Sequence, residues 1–104
     1  MANLTLIDQG GSNPAILCCP NCGFQYLHQG RVEVFQRGGE DSKEGIHVVV
    51  DGRTVATDTS MKGNPSGRRD GVKIYFSCEN CPAVSVLTIA QHKGQTYIEI
   101  SVPS

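Results

Sequence analysis

A chain of 104 residues, 38% apolar and 18% charged, has the length of one small domain and room for one modest core, not two. Its formal net charge of −1 excludes a general attraction to nucleic acid or to an anionic membrane. With three Phe, three Tyr and no Trp, burial is thin enough that a staple other than apolar packing is expected.

No apolar h-region follows a basic N-terminus, and no run approaches the roughly 18 apolar residues of a membrane span. The expectation is a cytoplasmic protein without membrane contact. In a reducing compartment, five cysteines point to metal ligation or redox chemistry before structural disulfides.

In chain order the predicted elements are nearly all β. "NLTLI" at 3–7 reads as a short edge strand, followed by a "QGGSNP" loop. "RVEVFQR" at 31–37 and "IHVVV" at 46–50 are strands by β-branched content and alternation, joined through the glycine-rich 38–45. Asp51-Gly52 is a turn dipeptide from which "RTVAT" returns as a further strand.

Residues 57–71, "TDTSMKGNPSGRRDG", hold three glycines, one proline and almost nothing apolar, so they are expected to form a flexible loop. "VKIYFS" at 72–77 places Val72, Ile74 and Phe76 on one face. "AVSVLTIAQ" at 83–91 and "QTYIEISV" at 95–102 flank His92-Lys93-Gly94 and predict a C-terminal hairpin. No helical periodicity, internal repeat or heptad emerges. The expected fold is mainly β: one antiparallel domain over 1–104, with five to seven strands.

Cys19 and Cys22 are separated by two residues, and so are Cys78 and Cys81. Each short turn can aim two thiolates at one point, and two such turns complete a tetrahedral shell. Zinc suits four thiolates because it is redox-inert and has no crystal-field preference, although iron takes the same geometry. Ordinary buried cysteines and a redox pair are the competing readings. The redox reading would want one C-x-x-C at a helix N-terminus. Here there are two, among strands.

Cys19-Pro20-Asn21-Cys22-Gly23 resembles the C-P-x-C-G knuckle of the zinc-ribbon family, with Pro20 pre-setting φ and Gly23 tolerating a left-handed exit. The second knuckle departs from that pattern, because Pro82 stands where an N–H donor is usual. Another departure is the 55 residues between Cys22 and Cys78, which implies an elaborated sheet between the knuckles. On "RRDGVKIYFSCENC" and "LTIAQHKGQT" the chain is also similar to small uncharacterised zinc-ribbon proteins of bacterial and phage genomes.

The resemblance implies one structural Zn2+ per chain on Cys19, Cys22, Cys78 and Cys81. Adding Zn2+ and four thiolates takes the net charge to about −3. Cys18 would point away from the metal as a small buried hydrophobe. A closed four-thiolate shell leaves no open position, so His28, His47 and His92 are expected to be surface or strand-packing residues rather than ligands.

Residues 53–73 carry Arg53, Lys62, Arg68, Arg69 and Lys73 against Asp58 and Asp70, a net of +3, whereas 1–52 carry −3. Arg53, Arg68, Arg69 and Lys73 could contact a nucleic acid or an acidic partner; the alternative is a solvated loop held by Arg–Asp pairing. No nucleophile elbow, phosphate loop or supported acid pair appears, so an enzyme is not expected. The functional expectation is a non-enzymatic, zinc-stabilised binding or assembly module, phage-related by resemblance, that offers a β-surface to a protein partner. The alternative is a nucleic-acid-binding zinc ribbon. A homo-oligomer formed by edge pairing is also allowed.

Overall fold

Two three-stranded meanders join through their first strands into a single sheet. In the computed structural model, which describes residues 4–103, these are β3 (Leu27–Gln36), β4 (Glu44–Asp51) and β5 (Thr54–Ser60), then β6 (Gly71–Cys78), β7 (Val84–His92) and β8 (Gln95–Ser101). The sheet order is β5-β4-β3-β6-β7-β8, antiparallel throughout. A separate pair, β1 (Leu6–Ile7) and β2 (Ile16–Leu17), leads into the first knuckle. Among the described residues there is no helix, and so none long and apolar enough to cross a membrane.

The all-β expectation therefore holds, with six strands in the main sheet and two very short ones before it. Asn3, the first residue of the expected 3–7 strand, lies outside the described residues. The expected loop at 57–71 is narrower than its composition suggested: residues 57–60 belong to β5, Gly71 opens β6, and the connection is 61–70. Thr57 and Asp58 pair with Val48 and His47, so the β4 neighbour recruits polar residues that carry little strand signal of their own.

The turns follow local chemistry. Gly52 takes φ 61° at the first position of the two-residue β4–β5 turn, as a II′ turn requires. Lys93 and Gly94 take φ 50° and 79° between β7 and β8, the double positive φ of a I′ turn.

Register gives the two faces different characters. On one face, cross-strand partners form two apolar rows across all six strands. The first runs Thr57, Val48, Val34, Val72, Ile89, Ile98; the second runs Val55, Val50, Val32, Ile74, Leu87, Ile100. The opposite face carries Asp58, His47, Phe35, Glu33, Lys73 and Tyr75, of which Phe35 is 1% exposed.

The 61–70 loop folds over that second face. A Cβ on Gly63 would stand 3.5 Å from Lys73 Nζ and 3.8 Å from the Phe35 ring. Arg37 ties the loop down: its backbone N–H donates to Asp70 Oδ1 at 2.7 Å, and its guanidinium donates to the carbonyls of Ser42, Ser66 and Arg69. Ser66 Oγ donates to the Gln91 carbonyl at 2.7 Å. Composition misses this anchoring because the side chain that supplies it lies outside the loop.

Candidate metal centre

Strand pairing closes the 55-residue gap between the knuckles. Leu27, five residues after Cys22, pairs with Cys78, and the Glu79 N–H donates to the Tyr26 carbonyl at 3.3 Å. The strand that leaves the first knuckle thus runs alongside the strand that enters the second. Within the first knuckle, Gly23 N–H donates to the Cys19 carbonyl and Cys19 N–H to the Phe24 carbonyl, both at 2.8 Å. Gly23 has φ 81°, the left-handed exit expected of it.

The sulfurs of Cys19, Cys22, Cys78 and Cys81 all lie within 4.8 Å of one another. Four thiolates about 2.3 Å from one cation at tetrahedral angles stand about 3.8 Å apart. Cys19–Cys81 is 3.8 Å and Cys22–Cys78 is 3.6 Å. These separations fit a shared ion and far exceed the roughly 2.05 Å of a disulfide bond. The cluster could hold a metal ion and is consistent with a zinc-ribbon-like site.

No family model, curated protein or solved structure matches the chain.

The sulfurs are supported reciprocally by two asparagines. Asn21 of the first knuckle brings its Nδ2 to 3.5 Å from Cys81 Sγ, and Asn80 of the second brings its Nδ2 to 3.6 Å from Cys22 Sγ. Asn80 also donates its backbone N–H to Cys78 Sγ at 3.4 Å. Pro82 offers no N–H, and the side chain of Asn21 serves Cys81 instead. Both knuckles read C-x-N-C, a repeat that marks these partners and that attention to the cysteines alone passes over.

Hydrogen bonds to sulfur favour the thiolate. The Asn80 amide, with the Phe24 N–H, brings the Cys22 thiol down to about 6. Lost solvation pushes the Cys78 thiol up to about 11, with the sulfurs of Cys22 and Cys19 adding to the rise. Four adjacent sulfurs cannot all ionise without a cation among them.

Cys18 stands outside the cluster. It is 3% exposed, its N–H donates to the Thr5 carbonyl at 2.9 Å, and its side chain is packed away from solvent. Neither His28 nor His92 joins the cluster: His28 pairs with Glu79 on the surface, and His92 packs its ring edge-on to Tyr97.

His47 takes the strand-packing role that the sequence allowed it. It is 9% exposed and stacks on Phe35 with centroids 4.4 Å apart. Its Nε2 is 2.9 Å from Glu33 Oε1 and its Nδ1 is 3.0 Å from Asp58 Oδ1, while Tyr75 donates to Glu33 Oε2 at 2.8 Å. Burial alone would raise the Glu33 carboxyl, but hydrogen bonds from Tyr75 and His47, with Arg31 and Lys73 nearby, hold it below its ordinary range. A Glu that shares its strand face with Phe35 was the available signal for this buried network.

The four basic residues singled out from sequence do not form one patch. Arg68 makes a two-pronged contact with Asp41, at 2.8 and 3.0 Å, and also pairs with Glu40. Lys73 lies opposite Glu33 under the loop. Arg53 sits in the β4–β5 turn, at the far end of a seven-residue strand from the loop that carries Arg68 and Arg69.

Proposed function

We propose that the chain is a non-enzymatic binding or assembly module in which one structural Zn2+, on Cys19, Cys22, Cys78 and Cys81, clamps the end of a sheet whose apolar face is offered to a protein partner. The carrying observation is the pair of cross-strand rows on that face. Val55 and Val50 on one side of that face are 66% and 40% exposed and Ile98 on the other is 52% exposed, and exposed apolar side chains gathered on one face mark an interaction surface.

Zinc is favoured because the donors are four thiolates at tetrahedral spacing with a closed shell, which makes the ion a clamp. His47 is read as a packing residue rather than a base. Both of its ring nitrogens are engaged by carboxylates, which leaves neither for activating a nucleophile. Five free thiols suit a reducing, cytoplasmic compartment. The phage association rests on the sequence resemblance alone.

Pairing of Arg68 with Asp41, and the distance of Arg53 from the loop, favour a protein partner over nucleic acid. Native mass spectrometry tests the metal: one zinc per chain is expected, and a metal-free folded chain would refute the clamp. Titration with single- and double-stranded DNA at low salt tests the alternative, which requires binding that weakens steeply as salt is added.

A further inference from the structure

On the reading that the apolar face is a binding surface, we propose that its partner is a second copy of the same chain, packed sheet against sheet as the missing layer of a β-sandwich. Domains are ordinarily built from two packed layers around a core. Here the six strands form one layer, and its apolar face stands open at Val55 and Val50 on one side and Ile98 on the other, while Ile100, which ends the second row, is fully buried. Val34, Val48, Val72 and Ile89 are half-buried at the centre of the sheet, whereas Phe35 on the opposite face is closed off under the loop.

The exposed area points the same way. The chain exposes 6815 Å² at a mass of 11.2 kDa, whereas a compact monomer of that mass exposes roughly 5,700 Å². The excess of about 1,100 Å² covers the roughly 800 Å² that each partner contributes to a standard interface. The radius of gyration of 14.8 Å likewise exceeds the roughly 12.9 Å of a compact chain of this length.

A copy is the occupant whose chemistry fits without further assumption. Neither row contains a charged side chain, so the face has no electrostatic feature to select a charged partner and requires an equally apolar, β-branched surface. The chain itself carries such a surface. Two identical faces meet about a two-fold axis with every contact made twice, in the aligned packing, near 30°, of stacked twisted sheets about 10 Å apart. The backbone edges of β5 and β8 form no strand pairing in this contact, which separates it from edge-to-edge pairing.

The test is sedimentation velocity on the metal-loaded full chain at micromolar concentration, with fluorescence of a hydrophobic dye read in parallel. A particle of twice the 11.2 kDa chain mass that leaves the dye dark is expected. Val50→Glu and Ile98→Glu, at positions exposed in the single chain, should weaken dimerisation on the order of a hundredfold, because each buries an unpaired carboxylate in an apolar contact. Unchanged metal content and circular dichroism would show that these variants fold. Thr57→Val, which replaces the one polar member of the rows, should tighten the dimer and tests the same contact without adding charge.

A wild-type monomer that lights the dye, with the signal lost in the Glu variants, overturns the second copy but leaves the face as a binding surface for another protein. A monomer that stays dark overturns both. A dimer indifferent to all three substitutions is held elsewhere, at an edge strand, and overturns the proposal.

Discussion

The side-chain amide of Asn80 lies 3.6 Å from the sulfur of Cys22, on the opposite knuckle of the four-cysteine cluster. Asn21 returns the contact to Cys81 at 3.5 Å. Each knuckle therefore sets a side-chain amide against a sulfur of the other, and the two asparagines couple the turns. Outer partners of metal ligands typically affect affinity by about 10- to 100-fold. Asn80→Ala and Asn21→Ala should each weaken metal binding within that range while leaving one ion per chain, as read by competition with a chromophoric chelator. An affinity unchanged in the double variant would show that the amides merely border the cluster.

The adjacent cysteines Cys18 and Cys19 should behave oppositely. Cys18→Ala removes a small buried side chain, whereas Cys19→Ala removes one of four sulfurs from the cluster. The first should keep full metal stoichiometry with a modest stability loss of about 1 kcal/mol. The second should lose tight binding. Structural zinc contributes about 10–16 kcal/mol of apparent binding free energy, more than many domains have in total stability. Chelation of the wild type should therefore melt the knuckle end of the sheet, and an unaltered melting curve after complete metal removal would contradict this.

Glu33 should set an acid limit on stability. Its carboxyl is held below the ordinary value of 4.5 in the folded chain, so its contribution is present in full above that value and fades as pH falls through the folded one. Tyr75 gives the alkaline counterpart. Burial and its bond to Glu33 raise its hydroxyl above the ordinary 10, so stability declines as pH rises past that value. Glu33→Gln should cost about 2 kcal/mol at neutral pH. It should also lose the decline on acidification that the wild type shows from this group. Because acid also releases metal from thiolates, the informative quantity is the difference between variant and wild type in chemical denaturation at each pH. A constant difference from pH 7 to well below 4.5 would place the titration elsewhere.

What the sequence showed and what it hid divide along the range of the interactions. The knuckles were legible because two residues between cysteines is a local geometric statement, and β7 and β8 were legible because alternation and Lys93-Gly94 are local too. The Asp58–His47–Glu33–Tyr75 network spans four strands, and its existence depends on the registers His47↔Asp58, Phe35↔His47 and Glu33↔Lys73. No single strand encodes those registers. The apolar rows are hidden in the same way: Val50 and Val55 look like ordinary strand residues until pairing aligns them with Val32, Ile74 and Leu87. The 61–70 loop looked unstructured because its anchors, Arg37 and Gln91, come from β3's exit and from β7.

Ser85 is the described residue whose buried hydroxyl finds no hydrogen-bond partner, and it is 1% exposed. An unpaired buried hydroxyl costs about 1–3 kcal/mol, whereas an alanine in its place has nothing to desolvate. Ser85→Ala should therefore be neutral or stabilising by about 1 kcal/mol, seen as a rise in the denaturation midpoint at constant slope. A clear loss of stability would mean that the hydroxyl is satisfied in solution by water.

Gly71, at the start of β6, joins the loop to the sheet. A Cβ there would stand 2.4 Å from Asn64 Oδ1 and 2.6 Å from Pro65 Cγ. Asn64 cannot yield freely, because its Oδ1 accepts from Ser66 N–H at 2.9 Å and its Nδ2 donates to the Arg69 carbonyl at 2.9 Å. Proline is equally constrained by its ring. Gly71→Ala should therefore lift the 61–70 loop off Phe35 and Lys73 and cost on the order of 1–3 kcal/mol. The knuckles lie at the other end of β6, beyond Cys78, so metal stoichiometry should be unchanged. Hydrogen exchange should then show faster opening of the loop amides with the knuckle amides unaffected. If protection fell equally at both ends, the loop and the metal end would form one cooperative unit, and the division of labour along β6 argued here would be wrong.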